Sequence, residues 1–430
     1  MGGGSWLADC AAPASLAHWS MSYAPDLFTL KLHAPIGRNR SIVDEIAEFR
    51  DFDQETHVFV RDGLRYFVNE FWTARQRQAD RVHEVSYRAC FKPQLPAFFI
   101  DRLTVEGDSV YDPFMGRGTT PLQAALMNRR PIGNDVNPLS EMLLRPRLAP
   151  PSVAAIQHRL GTIEWTSKDD RHAELLVFYS PSTLAQILSL RDYLEGKRNR
   201  GTLDPVDDWI RMVAINRLTG HSSGFFSVYT LPPNQACSIQ SQQRINEKRS
   251  QTPPDRDVAS IILKKSKSLL SQGARKSEHE PILGTGPAEQ TPFIDSDSVD
   301  LVVTSPPFLD VVHYAKDNWL RCWFAGIDAD AVPIAMHKHV DDWEAFVRRT
   351  FTELARVVRS GGTVAFEVGE VRNGSVLLER NVAAAIKGLP FTVSGVLVNQ
   401  QEFTKTANAW GVTNGKRGTN SNRVVIAERS

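Results

Sequence analysis

The order of elements between residues 108 and 136 constrains the fold more than any other feature of this 430-residue chain. A short apolar strand over residues 109–111 leads into a turn with two glycines, a helix over 120–127 and a second strand over 131–136. A strand, a helix and a further strand in this order form a βαβ unit, which builds a parallel sheet with right-handed crossovers. The alternation resumes at the apolar strand 299–303. The sequence therefore predicts an α/β fold with a mostly parallel sheet.

The remaining elements are predicted from apolar periodicity and from helix start and stop residues. Before residue 80, the pattern predicts helices over 41–49 and 64–77. Residues 151–280 interrupt the alternation with helices over 182–196, 207–218 and 257–270 and with a loop over 220–254. After residue 299, the pattern predicts helices over 339–358 and 377–387 and strands over 363–368, 392–397 and 423–427. The sheet is thus expected to be interrupted by a largely helical and loop-rich insert.

The turn after the first strand reads Asp112-Pro113-Phe114-Met115-Gly116-Arg117-Gly118-Thr119-Thr120. Two glycines one residue apart let the backbone turn tightly and approach a ligand closely, although such turns also occur without a ligand. Two acidic residues favour a ligand: Asp112 opens the turn, and Asp135 ends the next strand. An acidic side chain in the second position can bind both ribose hydroxyls of an adenosine-containing cofactor. The third glycine of a pyrophosphate-binding loop is absent, so the site suits a nucleoside whose tail is not a phosphate.

A second turn, Thr304-Ser305-Pro306-Pro307-Phe308, follows the strand over residues 299–303. Its two prolines end strand pairing and fix a rigid turn, which is a sufficient structural reason for them. The same rigidity can aim two acceptors, the Ser305 hydroxyl and the Pro306 carbonyl, at a planar NH2 group, with the Phe308 ring as a stacking face. Both turns lie at carboxyl ends of sheet strands, where open α/β sheets bind their ligands, and this shared edge favours the functional interpretation.

The two turns resemble the DPFxGxGTT cofactor motif and the TSPPY/F catalytic motif of amino-group DNA methyltransferases, which use S-adenosylmethionine. Residues 91–95 resemble the family's KPxxL-type element, and residues 361–366 resemble a later strand of its sheet. The resemblance covers residues 83–145 and 282–430, and it implies a Rossmann-like methyltransferase fold that needs no metal. The residues that it implies for binding S-adenosylmethionine are Lys92, Asp112, Pro113, Phe114, Gly116, Gly118, Thr119, Thr120, Asp135 and Thr304.

In this family, the serine form of the catalytic motif is associated mainly with the N4 amine of cytosine. An exocyclic base amine delocalises its lone pair into the ring, so it attacks a sulfonium methyl group only when acceptors hold its hydrogens. Ser305 and the carbonyl of Pro306, which Pro307 helps to fix, would be these acceptors, and Phe308 would stack on a base flipped out of the duplex. The resemblance thus implies methylation of cytosine N4 in double-stranded DNA.

Three other functions remain open on the sequence. The same acceptors can hold the N6 amine of adenine, and transfer-RNA guanosine-N2 methyltransferases share similar turns, although residues 1–80 do not resemble an RNA-binding domain. A DNA-binding protein that keeps the fold without turnover is the third. One departure favours it weakly: residues 282–287 lack the acidic residue with which the family contacts the adenine amine, so that Thr285 or a backbone group would replace it.

Asp112 and Ser305 are 193 positions apart in the sequence, a long separation for turns on neighbouring strands, which indicates an added module. In methyltransferases with the cofactor motif first, an insert at this place commonly reads the target sequence. Residues 241–276 carry nine basic and three acidic side chains, an excess of six positive charges that would attract a phosphate backbone. The residues predicted to contact DNA are Arg244, Arg249, Lys264, Lys265 and Lys267, although a solvated helix face explains each of them at least as well.

Composition excludes several other classes of protein. Hydrophobic residues make up 42% of the chain and charged residues 23%, which is typical of a globular protein, and no stretch reaches the roughly 18 apolar residues of a membrane span. The four cysteines form neither a CxxC pair nor a spacing with histidine that suits zinc, so the sequence predicts reduced thiols and no metal site. A cytoplasmic location is expected, because residues 1–13 lack the pattern of a secretion signal.

These observations predict three parts of the chain. Residues 1–80 form an N-terminal extension of unknown role, residues 81–150 and 281–430 a catalytic domain, and residues 151–280 an inserted target-recognition module. Double-stranded DNA is the expected partner, and the resemblance adds a cognate restriction endonuclease as a second one. The formal net charge of +1 gives no indication of either.

Overall fold

Strands and helices alternate along most of the chain in the computed structural model, which describes residues 41–50, 54–72, 79–88, 90–166, 168–231, 235–307, 309, 314–371, 376–400 and 421–430. The strands are β1 (His57–Arg61), β2 (Leu64–Asn69), β3 (Ser109–Asp112), β4 (Arg130–Asp135), β5 (Ile282–Thr285), β6 (Val299–Thr304), β7 (Val358–Val368), β8 (Glu370–Val371), β9 (Val376–Leu377), β10 (Phe391–Gln400) and β11 (Ser421–Arg429). The helices are α1 (Ile42–Ala47), α2 (Gln94–Leu103), α3 (Thr119–Leu126), α4 (Leu139–Leu148), α5 (Val153–Thr162), α6 (Pro181–Asn199), α7 (Pro205–Ile215), α8 (Ile239–Arg249), α9 (Val258–Leu269), α10 (Tyr314–Ala325), α11 (Val340–Val357) and α12 (Leu378–Ala385).

Nine of the described strands form one sheet in the order β1-β2-β10-β11-β7-β6-β3-β4-β5. The contacts β2·β10, β7·β6, β6·β3, β3·β4 and β4·β5 are parallel, whereas β1·β2, β10·β11 and β11·β7 are antiparallel. The predicted α/β fold with a mostly parallel sheet is confirmed. From β3 the chain proceeds outward through β4 and β5, and it then returns to the other side of β3 with β6 and β7. The strand order therefore reverses between β3 and β6, and open α/β sheets bind ligands at the carboxyl side of such a reversal.

Apolar side chains cover both faces of the sheet. Helices α1, α2 and α3 bury Ile46, Phe99 and Ala124 against one face, which includes Leu301 of β6. Helices α11 and α12 cover the other face, which includes the next residue of the same strand, Val302. Because successive side chains of a strand point to opposite faces, β6 must be apolar throughout to be buried on both sides. This pattern fixes the end of β6, and with it the position of Ser305.

The prediction of a helix over residues 64–77 is wrong, because residues 64–69 form strand β2. Its aromatic residues are buried on opposite faces, Tyr66 on one side of the sheet and Phe67 on the other. The two-residue turn Asp62-Gly63 joins β1 to β2, and both residues have positive φ, +51° and +78°. An Asp-Gly pair with this geometry favours a tight hairpin, and that indication in the sequence was missed.

The helices of residues 151–280 form a separate apolar core with α4 and α10. The centre of this core is α7, which contacts α4, α5, α9 and α10 and buries Trp209 completely. A helix, α8, occupies residues 239–249 inside the predicted loop over 220–254; its mean composition is polar, and Ser238 caps it by accepting from the Ser241 amide. All described residues belong to one compact unit, 34–430. None of the described helices is long and apolar enough to cross a membrane.

Candidate active site

Asp112 is the last residue of β3 and lies beneath the glycine turn. Its Oδ1 accepts hydrogen bonds from the Thr304 hydroxyl at 2.6 Å and from the Phe114 amide at 3.0 Å. Thr304 ends the neighbouring strand β6, so the Asp112 carboxyl group ties the two predicted turns together. The side chain is 1% exposed, and burial raises the pKa of Asp112 from 3.8 to about 7. A cationic ligand beside this carboxyl group would favour its ionised form.

The glycine turn has a backbone that only glycine adopts easily. Gly116 and Gly118 have φ values of +50° and +78°. A Cβ atom on Gly118 would meet the Leu144 side chain at 2.7 Å, so α4 packs directly against the turn. Buried Arg147, also on α4, donates to the Arg117 carbonyl and to the Leu143 carbonyl. The turn is therefore held from behind, which leaves its other side to a ligand.

Asp135, at the end of β4, faces the same turn. Its Oδ2 accepts from the Gly116 amide at 2.8 Å, and its Oδ1 accepts from the Asn137 amide at 2.9 Å. Burial raises the pKa of Asp135 above its ordinary range, and these two donors oppose that effect. Each carboxylate oxygen has a second lone pair, so Asp135 can still accept two hydroxyl groups from a ligand.

The second turn leaves β6 directly beside the first. Trp343 of α11 is fully buried and donates its indole N–H to the Pro307 carbonyl at 2.9 Å. This bond fixes the rigid Pro306-Pro307 segment from the helix side. Ser305 is half-buried at the start of the turn, whereas Phe308 lies outside the described residues.

Glu367 lies next to Ser305 on the neighbouring strand β7. Thr304 pairs with Phe366 in the parallel register, and the following residues on the two strands, Ser305 and Glu367, come together. The Glu367 carboxyl group accepts a hydrogen bond from the Asn422 side-chain amide, and its interaction with the Ser305 side chain lowers the pKa of Glu367. Its side chain is 7% exposed, and burial raises the pKa of Glu367 from 4.5 to about 7. A carboxyl group with this pKa can both accept and release a proton near neutral pH.

A cavity of about 380 Å³ opens above these residues at the point where the strand order reverses. Its floor is formed by residues of both turns. Its sides are formed by residues 87, 88, 90, 91, 135–137 and 287–289, and part of its wall by Phe346 and residues 333–335. Most of this lining is apolar, and the acidic side chains Asp112 and Asp135 are part of it. An elongated ligand with an apolar body, a diol and a cationic group matches this distribution.

Comparison with known proteins agrees with this geometry. Residues 45–140 match the family model described as DNA methylase. The chain is 29% identical over 174 residues to the type II methyltransferase M.MvaI of Kocuria varians, which covers 38% of this chain and 34% of that protein. It is 20% identical over 311 residues to the type II methyltransferase M.BsoBI of Geobacillus stearothermophilus, which covers 64% of this chain and 57% of that protein. It is 46% identical over 75 residues to the orphan methyltransferase M.BamHII of Bacillus amyloliquefaciens, which covers 17% of this chain and 28% of that protein.

These similarities support an amino-methyltransferase family for the chain. The chain spans between about a quarter and just over half of the length of these three relatives. Among solved structures, it is similar to TrmN from Thermus thermophilus, with 12% identity, a TM-score of 0.31, and coverage of 81% of this chain and 52% of that one.

The structure brings together most of the residues that were predicted for the cofactor site. Those that line the cavity are Asp112, Pro113, Phe114, Gly116, Thr119 and Asp135, together with Ser305 and Pro307 of the predicted catalytic turn. Gly118, Thr120, Thr304 and Pro306 are buried behind the lining, and Thr120 donates to the Val303 carbonyl at 2.9 Å. Lys92 is exposed and lies outside the lining, where its neighbour Phe91 contributes instead.

An acidic residue, Glu289, lies on the cavity wall close to the strand end where residues 282–287 lack one. Strand β5 ends at Thr285, which pairs with Asp135 and is exposed outside the cavity lining. The chain continues along the cavity through Pro287 and Ala288 to Glu289, whose carboxylate lies 3.6 Å from the Arg349 guanidinium. The family resemblance predicts this acid at the strand end, whereas the structure places a candidate four residues later.

The residues predicted to contact DNA have different environments. Arg244, Lys264 and Lys267 are exposed on α8 and α9. Lys265 is largely buried and forms an ion pair with Glu84 at 2.9 Å. The Arg249 guanidinium lies over the Tyr229 ring, 3.8 Å from its centroid. No contact of these residues with DNA is tested by the structure, so their role stays a prediction.

Proposed function

We propose that the chain transfers the methyl group of S-adenosylmethionine to the exocyclic N4 amine of cytosine in double-stranded DNA, with the target base flipped into the cavity beside Ser305. The single observation that carries this proposal is that Ser305 stands beside the buried Glu367 carboxyl group at the edge of a cavity whose lining includes Asp112 and Asp135. Adenine N6 is the second candidate, because the same acceptors can hold either amine.

The residues of the cavity fit S-adenosylmethionine. Asp135 would accept the ribose hydroxyls, the Asp112 carboxyl group would lie toward the ammonium group, and Glu289 is the candidate for the adenine amine. The apolar lining residues Phe114 and Phe346 would contact the uncharged part of the molecule. When bound, this cofactor supplies an electrophilic methyl group on a sulfonium.

The chemistry of this chain's own residues concerns one proton. A base amine that gains a methyl group must lose one of its hydrogens, since the product is a neutral secondary amine. The Ser305 hydroxyl can accept that proton while its own proton passes to Glu367, and the Pro306 carbonyl can hold the second hydrogen. The pKa of Glu367, about 7, suits a group that takes up a proton in one step and returns it to water afterwards.

A nucleoside assay tests the proposal. The purified protein is incubated with S-adenosylmethionine and unmethylated DNA or total RNA, both are digested, and methylated nucleosides are identified by mass spectrometry. N4-methylcytosine from DNA is expected. The Ser305→Ala variant should give no product. The control Ser360→Ala should still give it, because Ser360 is exposed at the end of β7 opposite to Glu367. N6-methyladenine would shift the target to the second candidate, and a product found only in RNA would refute DNA as substrate.

A companion restriction endonuclease stays a prediction of the resemblance. Two of the relatives carry type II in their names, and the third is named an orphan methyltransferase. Co-purification with the products of neighbouring genes would test for such a partner.

A further inference from the structure

A second cavity, also of about 380 Å³, adjoins the cofactor cavity at Tyr87, which lines both. Residues 84–87 form one side of it, and Arg117, Arg217 and Lys265 form the rest of the described lining. Three cations and one carboxylate, that of Glu84, therefore face the same space. Of these cations, only Lys265 was predicted from the sequence to contact DNA.

Polar contacts to the protein hold Arg117 and Lys265 in place. Arg117 donates to the Val85 carbonyl at 2.8 Å and to the Phe91 carbonyl at 3.2 Å, so the cofactor turn itself presents this guanidinium. Lys265 forms the ion pair with Glu84. Both side chains are thus positioned before any ligand arrives.

Arg217 has hydrogen-bonding capacity to spare. Its guanidinium lies over the Phe225 ring, 4.0 Å from the centroid, and its Nε donates to the Asn216 carbonyl at 2.8 Å. Within the described part of the chain, its two terminal nitrogens have no acceptor. An arginine that is stacked on one face and bonded at Nε presents its terminal N–H groups as a fixed fork, which matches two oxygens of a phosphate.

The charges that line the second cavity do not balance, because three cations face one carboxylate. Burial lowers the pKa of Arg217 to about 10 and also lowers the pKa of Lys265. Repulsion from Arg217 and Arg81 lowers the pKa of Lys265 further, and repulsion from Arg321 lowers the pKa of Arg217 further. Attraction to Glu84 raises both pKa values. Clustered cations in a partly buried site gain stability when an anion binds among them.

We propose that this second cavity binds a backbone phosphate of the DNA strand whose base enters the neighbouring cavity, with Arg217 as the main donor and Lys265 and Arg117 completing the site. The proposal rests on the proposed function, since it takes DNA as the substrate. Glu84 then acts as a counter-ion that the phosphate displaces from Lys265. This predicts opposite effects for substitutions of Arg217 and Glu84, which a purely structural role would not produce.

Duplex binding measured by fluorescence anisotropy over a series of salt concentrations tests the site. Arg217→Gln is expected to weaken binding and to reduce the slope of log affinity against log salt by about one, as for the loss of one phosphate contact. Glu84→Gln is expected to tighten binding. The control Arg130→Gln, an exposed arginine at the amino end of β4 and thus at the opposite edge of the sheet, should match the wild type.

Several outcomes would overturn the assignment. Equal slopes for Arg217→Gln and the wild type, with unchanged thermal unfolding of the variant, would refute it. Weaker binding by Glu84→Gln would also refute it. If inorganic phosphate binds to the wild type and not to Arg217→Gln while duplex binding is equal in both, the site takes a free anion and the backbone assignment fails. A wild type that binds duplex as expected but methylates none would instead refute the proposed function and leave the phosphate site intact.

Discussion

Glu367→Gln is expected to stabilise the protein at alkaline pH and to remove most of its activity. Burial raises the pKa of Glu367 from 4.5 to about 7, so between these values the folded state holds a proton that the unfolded state has released. The folded state therefore loses stability as the pH rises from 4.5 to about 7, and the loss persists above that range. At about 1.4 kcal/mol for each pH unit, it amounts to about 3 kcal/mol. Glutamine keeps the shape of the side chain and does not titrate, so the variant avoids this loss.

Urea unfolding at about pH 5 and about pH 9 measures the effect. The difference in unfolding free energy between Glu367→Gln and the wild type should be about 3 kcal/mol larger at the higher pH. Glu280→Gln, at an exposed position, serves as the matched control and should show no such change. A pH-independent difference would contradict the raised pKa of Glu367. Full methylation activity of the variant would contradict proton transfer from Ser305 to Glu367.

Three further predictions concern the turns and the cofactor. Gly118→Ala should lower the unfolding free energy by about 2 kcal/mol more than Gly107→Ala. Both positions have positive φ, but only at Gly118 would the new Cβ meet another side chain, that of Leu144 at 2.7 Å. Equal losses of unfolding free energy for the two variants in urea would contradict this. Binding of S-adenosylmethionine should weaken as the pH falls below about 7, where Asp112 becomes protonated, whereas Asp112→Asn should bind weakly at every pH in calorimetry. Trp343→Phe should lower kcat about tenfold with an unchanged cofactor Kd, because the Pro307 carbonyl loses its donor; a changed Kd with normal kcat would contradict it.

The sequence was sufficient to place the two turns at one edge of the sheet. The rule that parallel strands end at the same edge needs only the βαβ order, and it correctly brings Asp112 and Ser305 into one cavity. The glycine turn was equally readable, because positive φ at Gly116 and Gly118 is a local property. What could be predicted therefore depended on the backbone of short segments.

The residues that were missed depend on contacts between distant parts of the chain. Glu367 reaches Ser305 only because of the register between β6 and β7, and Trp343 reaches Pro307 across the junction of α11 with the sheet. An acidic residue inside the otherwise apolar end of a predicted strand, 363–368, is the only local indication of Glu367. The prediction for strand β2 was wrong for another reason. Leu64 and Phe67 fit a helical spacing, whereas the alternate burial of Tyr66 and Phe67 becomes visible only inside the sheet.

The two neighbouring cavities carry opposite excesses of charge, and this explains why the net charge of +1 carries no functional information. Asp112 and Asp135 line the cavity that is proposed for a cationic cofactor, whereas Arg117, Arg217 and Lys265 line the one that is proposed for a polyanion. The turn at Arg117 separates them: its backbone faces the cofactor cavity, and its guanidinium lines the second cavity. Attraction of each ligand depends on the local field, which the sum of 50 basic and 49 acidic residues averages away. A nearly neutral chain can therefore bind DNA without a basic surface overall.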